Sequence, residues 1–205
     1  MPLTARILVV AATARELAPP EGWRTLQCGV GPVEAAIATS SAIAHERPSA
    51  ILHVGIAGAR RRAHLAPAAL VVGSEARYVD LGVPADWAPN TIPASVLLLA
   101  GIRRLFPSIP AMPIGTTASV GGTIDAAARS FMDPCEVEAM EGFGVLRAAQ
   151  QAGVPAIEVR AISNEIEEQD RARWYFDAAF KAITDATPAL VAAVRDALRQ
   201  PIANH

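Results

Sequence analysis

VPAIEVRAISN, residues 154–164, is an apolar, β-branched run that stops abruptly at Ser163 and Asn164 and carries Arg160 near its end. A short run of this kind, with a charged segment after it and a helix closed by Gly153 and Pro155 before it, reads as a buried strand. Five further runs share its character: ARILVVAA, TLQCGV, AILHVGIAG, ALVVGSEA and MPIGTTAS. Between them lie alanine-rich segments of helical period. PVEAAIATSSAIAHE reads as a helix with Pro32 at its first position, SVLLLAGIRRLF as a second, and MEGFGVLRAAQQAG as a third. A fourth is expected from about Ala178 to Arg199. Strands alternating with helices predict an α/β protein with a largely parallel sheet. No repeat or composition break divides the chain, so one domain over residues 1–205 is expected. Arg60 to Pro67 and Asp80 to Pro93 are expected as surface loops.

Charge and cysteine content exclude several classes of function. Eighteen basic against twenty acidic residues leave a net charge of -2, which gives no electrostatic footprint for nucleic acid or an anionic membrane, so a small molecule is the expected partner. The N-terminal apolar run is too short for a membrane span and lacks a cleavage-type ending, and a cytoplasmic protein is expected. Cys28 and Cys135 sit in apolar surroundings without CxxC spacing and read as core thiols. His45, His53, His64 and His205 share no metal-ligand spacing, so no metal is expected.

In open α/β sheets, ligands bind where strands end, because backbone groups and side chains converge there without ladder partners. That rule selects Thr13 to Glu16, Gly29 to Gly31, Gly55 to Gly58, Ala118 to Gly122, and Arg160 to Asn164, with Glu141 at the start of the third helix. Glu16 suits a general base on water, or, taken alone, a solvated glutamate at a helix start. Glu141 taken alone is equally unremarkable. Arg160, inside an apolar strand end, needs an anionic partner, which a ligand or a structural ion pair would supply. CGVGPVEAA either brings backbone N–H groups to a ligand oxygen or forms a tight structural turn. It lacks the third glycine of a dinucleotide fingerprint. Glu165, Glu167, Glu168 and Asp170 read as a solvated acidic stretch. Arg171, Arg173 and the cluster Trp174, Tyr175 and Phe176 suggest instead a segment folded over a pocket.

Taken in order, ILVVAATARE, CGVGPVEAAIATS, AILHVGIAG, ALVVGSEARYVDLG, VEAMEGFGVLRAAQQAGVP and VRAISN resemble the nucleoside phosphorylase and nucleosidase superfamily over nearly the whole chain. The nearest match resembles the futalosine hydrolase family, in which AISN continues through an acidic segment to DRxxW, here Asp170, Arg171 and Trp174. Methylthioadenosine nucleosidases instead carry an aspartate at the position of Asn164.

The resemblance implies a nucleoside phosphorylase-like three-layer fold with a mixed, largely parallel sheet flanked by helices. It implies a purine nucleoside substrate, no cofactor and a homo-oligomer. Glu16 corresponds to the carboxylate that activates water, and Arg160 to the arginine that helps orient it. Glu141 corresponds to the carboxylate bonded to the ribose hydroxyls, beside Met140 packing on the sugar. A neutral Asn164 donates from one end of its carboxamide and accepts at the other, which suits a 6-oxopurine such as hypoxanthine. Ile56 stands where methylthioadenosine nucleosidases carry a serine near the water, leaving backbone groups from Gly55 to Gly58 to substitute. No aromatic residue for base stacking is evident in ASVGGTID, and Val120 is expected to form an aliphatic slot. Phosphorolysis, adenine nucleosidase chemistry and a nucleoside-binding protein without activity remain the alternatives.

Overall fold

The computed structural model describes residues 5–81, 83–84, 86–119 and 135–200. The first strand is β1, Ile7–Ala11, whose five residues are all buried. Both faces of this strand are covered, which is why it reads as a continuous apolar run rather than an alternation. Ile7 and Val9 pack into one core layer and Leu8 and Val10 into another.

The remaining strands are β2 (Arg24–Gln27), β3 (Ala50–Ala59), β4 (Leu70–Tyr78), β5 (Thr91–Pro93), β6 (Ala111–Thr116), β7 (Val137–Ala139) and β8 (Ala156–Glu165). Together they form an eight-stranded sheet in the order β2-β1-β3-β7-β6-β4-β5, with β8 inserted between β3 and β4. β3, β8, β4, β6 and β7 therefore pair in a closed circuit, and β1 and β2 extend it on one side. Pairing is parallel except for β3–β7, β4–β5 and β4–β8, so the sheet is mixed and largely parallel, as expected.

Four helices are present among the described residues: α1 (Pro32–Glu46), α2 (Val96–Leu105), α3 (Gly142–Gln151) and α4 (Phe176–Arg199). α2 and α4 cover the Ile7/Val9 face, with Leu98, Ile102, Ile183 and Leu190 in the core, while α1 and α3 cover the opposite face. Pro32 occupies the first turn of α1, and Gly153 turns the chain out of α3 at φ 67°, both at their expected places. None of the helices among the described residues is long and apolar enough to cross a membrane.

Two expectations change. The segment from Asp80 to Pro93 is not wholly loop, because Thr91–Pro93 pairs antiparallel with β4 and buries Ile92. α4 starts at Phe176, two residues before the expected start, so the last residue of the aromatic cluster enters the helix and Tyr175 caps it. The expected loop at Arg60 to Pro67 contains only a 3-10 turn, Arg61–Ala63.

Candidate active site

Strands β1, β3 and β8 all run parallel and end at the same edge of the sheet. A cavity of about 290 Å³ opens there, with Glu16, Met140, Glu141, Gly58 and Asn164 among its lining residues. Five of the expected site residues thus converge. Arg160 lies directly beneath them, 1% exposed. Val120 falls outside the described residues.

Glu16 ends the 3-10 turn Ala14–Glu16 that follows β1, and it is 3% exposed. The reading of a solvated helix-start glutamate is therefore corrected. An ionised carboxylate at such burial is costly unless its oxygens accept hydrogen bonds. Glu16 Oε2 accepts from Thr13 N and Thr13 Oγ1, both at 2.8 Å, and Oε1 accepts from the backbone N–H of Ile56 at 3.1 Å. Ile56 thus offers its main chain to the acid, while its side chain lines the cavity.

Glu141 precedes α3 and is 4% exposed, so it is not solvated either. Its Oε1 accepts from Gly31 N at 3.1 Å and its Oε2 from Arg160 Nη2 at 3.3 Å. The CGVG turn accordingly has a structural partner: one of its N–H groups holds a protein carboxylate. Gly31 adopts φ 96°, a region that side chains disfavour, which makes this presentation possible.

Arg160 has the anionic partners its burial demanded. Nε donates to Glu158 Oε1 at 2.7 Å, Nη1 to the carbonyl of Ile56 at 3.4 Å, and Nη2 also meets His53 Nε2. Burial alone would pull the guanidinium pKa down, but the charges of Glu158, Glu141 and Glu16 outweigh it and raise the value further. Arg160 is a permanent cation. Glu158, fully buried, is pushed upward by desolvation, against the opposing pull of Arg160.

Asn164 sits on the cavity wall, 8% exposed. Its Oδ1 accepts from Ser163 Oγ at 2.8 Å, and its Nδ2 donates to Glu165 O at 2.9 Å, leaving one N–H and one oxygen lone pair for a ligand. Strict strand alternation would put Ser163 and Asn164 on opposite faces, yet both line the cavity. The cause is a register shift in which Ala57 faces Ile162 and Gly58 faces Asn164, a bulge that re-aims the strand end. Gly58 makes room for this wall, since a Cβ there would lie 3.1 Å from both Asn164 Nδ2 and Ile166 Cγ1.

The segment after Asn164 combines both of its sequence readings. Glu165, Glu167 and Asp170 are exposed, whereas Arg171, Trp174, Phe176 and Phe180 line the cavity. Trp174 is anchored by Nε1 donating to Glu168 O at 3.0 Å, and the Arg171 guanidinium lies 5.8 Å from its ring. Phe180 was not singled out from the sequence, whereas Thr13 and Ser163 lie in the strand-end stretches that were. Cys28 and Cys135 are buried, and burial, helped by Glu141, pushes the Cys28 thiol up to about 12, so it carries no reactive thiolate.

His53 is the buried group that sequence reasoning passed over. Nδ1 lies 3.0 Å from the carbonyl of Val10, which fixes the proton on Nδ1 and leaves Nε2 as acceptor for Arg160. Burial, then the Arg160 charge, holds its pKa well below the ordinary 6.5. A histidine neutral in the fold but free to protonate when unfolded stabilises the fold fully above the unfolded value, and that contribution is lost as pH falls below 6.5. Glu158, whose pKa is raised, acts in the opposite direction. The difference between the native chain and His53→Asn therefore isolates the histidine. Urea denaturation from pH 7.5 to 5.5 should show native stability falling relative to His53→Asn by up to about 1.4 kcal/mol per pH unit. Parallel pH profiles would mean that His53 is not neutral in the fold.

Comparison with known proteins places this arrangement. The sequence profile of the Phosphorylase superfamily matches residues 25–199. Futalosine hydrolase from Streptomyces coelicolor is 36% identical over 189 residues, covering 82% of this chain and 77% of that protein. Futalosine hydrolase from Thermus thermophilus is 30% identical over 197 residues, covering 88% and 86%. The fold matches the native structure of Helicobacter pylori futalosine hydrolase with a TM-score of 0.78 at 16% identity, covering 95% of this chain and 98% of that one. It also matches a 5'-methylthioadenosine/S-adenosylhomocysteine nucleosidase from Colwellia psychrerythraea, in complex with adenine, with a TM-score of 0.79 at 18% identity, covering 95% and 96%. The chain belongs to the phosphorylase superfamily and, within it, to the futalosine hydrolase family.

Proposed function

We propose that this chain hydrolyses the N-glycosidic bond of futalosine, releasing hypoxanthine in menaquinone biosynthesis, as one nucleosidase domain without a cofactor. The observation that carries the reading is the convergence of two buried carboxylates, Glu16 and Glu141, on the floor of a cavity whose wall is Asn164. Glu16 accepts a proton from water, and Arg160 beneath it helps orient that water. Glu141 accepts from the ribose hydroxyls, a contact that strengthens as the sugar gains positive charge. Met140 packs on the sugar. Asn164 donates to the departing 6-oxopurine. The apolar wall of Ile166, Trp174, Phe176 and Phe180 receives the 5' end of the nucleoside.

Water is favoured over phosphate because a second anion beside Glu16 would be repelled. Adenine nucleosidases share the fold, and the identity of the base separates the two readings. Release of the free base, hypoxanthine from futalosine and inosine and adenine from methylthioadenosine and S-adenosylhomocysteine, should be measured with and without phosphate. Futalosine should be cleaved fastest, with no dependence on phosphate. Preference for adenine nucleosides, or formation of a sugar 1-phosphate, would overturn the proposal.

Asn164→Asp should move kcat/KM toward adenine nucleosides. A site built to donate to an oxo group leaves polar atoms mismatched against an amino group, at ~1–3 kcal/mol for each. An unchanged hypoxanthine-to-adenine ratio would remove Asn164 from base selection. We further propose a cytoplasmic homo-oligomer. Val30, Val33 and Ile37 expose a row of apolar side chains beside the cavity, which supports self-association, and light scattering would test it.

A further inference from the structure

Four residues form a square on the α1/α3 side of the sheet. β3 and β8 are in parallel register, with His53 opposite Glu158 and Gly55 opposite Arg160. Because alternate residues of a strand share a face, His53 and Gly55 stand beside Glu158 and Arg160 as one buried layer. A Cβ at Gly55 would lie 2.2 Å from Arg160 Nη1 and 2.8 Å from Glu16 Oε1, so the guanidinium and the acid come together over a residue that has no side chain. At the other corner, a Cβ at Gly142 would lie 2.2 Å from Glu158 Oε2. The first residue of α3 therefore seals Glu158 from above. Glu158 and His53 are both 0% exposed, and neither lines the cavity.

We infer that Glu158 and His53 are positioning residues, which fix the plane of the Arg160 guanidinium by holding Nε and Nη2 and so leave Nη1 directed over Gly55 toward Glu16. An arginine side chain is long and rotatable, whereas its planar fork is set once two of its nitrogens are bonded to rigid acceptors. Glu158 and His53 are such acceptors, each fixed on a central strand. Stability alone gives little reason for the arrangement. A buried ion pair is often matched or exceeded by apolar residues of similar volume, and Glu158 Oε2 has no hydrogen-bond partner. Its value lies in where it puts Nη1.

The inference rests on the proposed role of Arg160 in orienting water, and the test separates the two. Hypoxanthine release from futalosine would be followed with the full chain for Glu158→Leu, Glu158→Gln, His53→Leu, His53→Gln, Arg160→Lys and the pair His53→Leu/Arg160→Lys. Folded protein in each would be quantified by circular dichroism. Glu158→Leu and His53→Leu, which remove an acceptor, should lower kcat by ~10–100-fold with KM within about threefold of the native value. Glu158→Gln and His53→Gln, which keep an accepting atom near Arg160 Nε and Nη2, should recover most of that loss. In the Arg160→Lys background, which has no planar fork to orient, His53→Leu should cost less than about threefold more. Where one leucine variant does not fold, the other and its glutamine counterpart decide. Lower melting temperature with unchanged kcat in the leucine variants, or full multiplication of the two losses, would overturn the positioning role. Native turnover in Arg160→Lys would instead overturn the role proposed for Arg160 itself.

Discussion

Replacing Glu16 with glutamine is expected to lower kcat by ~10²–10⁴-fold while KM stays within about threefold of the native value. The two side chains have nearly the same shape, so the cavity floor keeps its contour. What changes is the proton inventory. Glu16 receives three hydrogen bonds, from Thr13 N, Thr13 Oγ1 and Ile56 N, and a carboxylate can accept all of them. A carboxamide has one accepting end, so in either orientation its NH2 group opposes at least one of these donors. That mismatch costs ~1–3 kcal/mol of stability, and kinetics must be referred to folded protein. The catalytic loss is separable, because a base that no longer takes a proton affects turnover and leaves ground-state binding alone. Steady-state rates of hypoxanthine release across substrate concentration give both constants. A kcat within about threefold of the native value would remove Glu16 from the chemistry.

The largest expected effect on stability belongs to Arg160→Met. Arg160 stands between Glu158 and Glu141, and all three are nearly or wholly inaccessible to water. Breaking a buried pair by removing one partner costs ~3–5 kcal/mol, because the remaining charge loses its compensation without regaining water. For a chain of this size that corresponds to a fall in melting temperature of roughly 6–20 °C. The pH dependence carries the mechanism. Burial already raises the Glu158 pKa, and without the Arg160 charge it rises further, so at low pH the acid takes up a proton and the penalty shrinks. Arg160→Met should therefore be more damaging at pH 8 than at pH 5.5. Adding Glu158→Leu should restore part of the lost stability by removing the stranded acid. Calorimetry of the two variants at both pH values tests this, and a loss below about 1 kcal/mol at pH 8 would show that the pair is not energetically coupled.

Long elements were legible in the sequence because burial on both faces of β1, β3 and β8 leaves predominantly apolar runs, and because α1 and α3 carry their own start and stop signals. β5 and β7 were not. Each is three residues long, and Thr91–Pro93 contains a proline while Val137–Ala139 contains a glutamate, so neither has a period to detect. In the candidate site, Glu16, Arg160 and Asn164 were picked out by their positions at strand ends and Glu141 by its place at the start of a helix, while the family resemblance supplied their expected roles. Glu158 and His53 escaped because the same rule looks past the interior of a strand. A signal was present: Glu158 and Arg160 stand two apart in a run otherwise apolar, hence on one buried face, where neither is affordable without the other. The bulge at Ser163 left no comparable trace, since it depends on pairing with β3 rather than on local residue types.

The peptide unit of Ile56 serves both sides of the site at once, its N–H donating to Glu16 and its carbonyl accepting from Arg160. This makes the support resistant to point mutation in a way that a serine hydroxyl would not be. Any residue at position 56 except proline retains the N–H. Drift at that codon is free to reshape the cavity wall while the contact beneath persists. A comparison of side chains alone would record a missing donor where the main chain has one that ordinary substitution cannot delete.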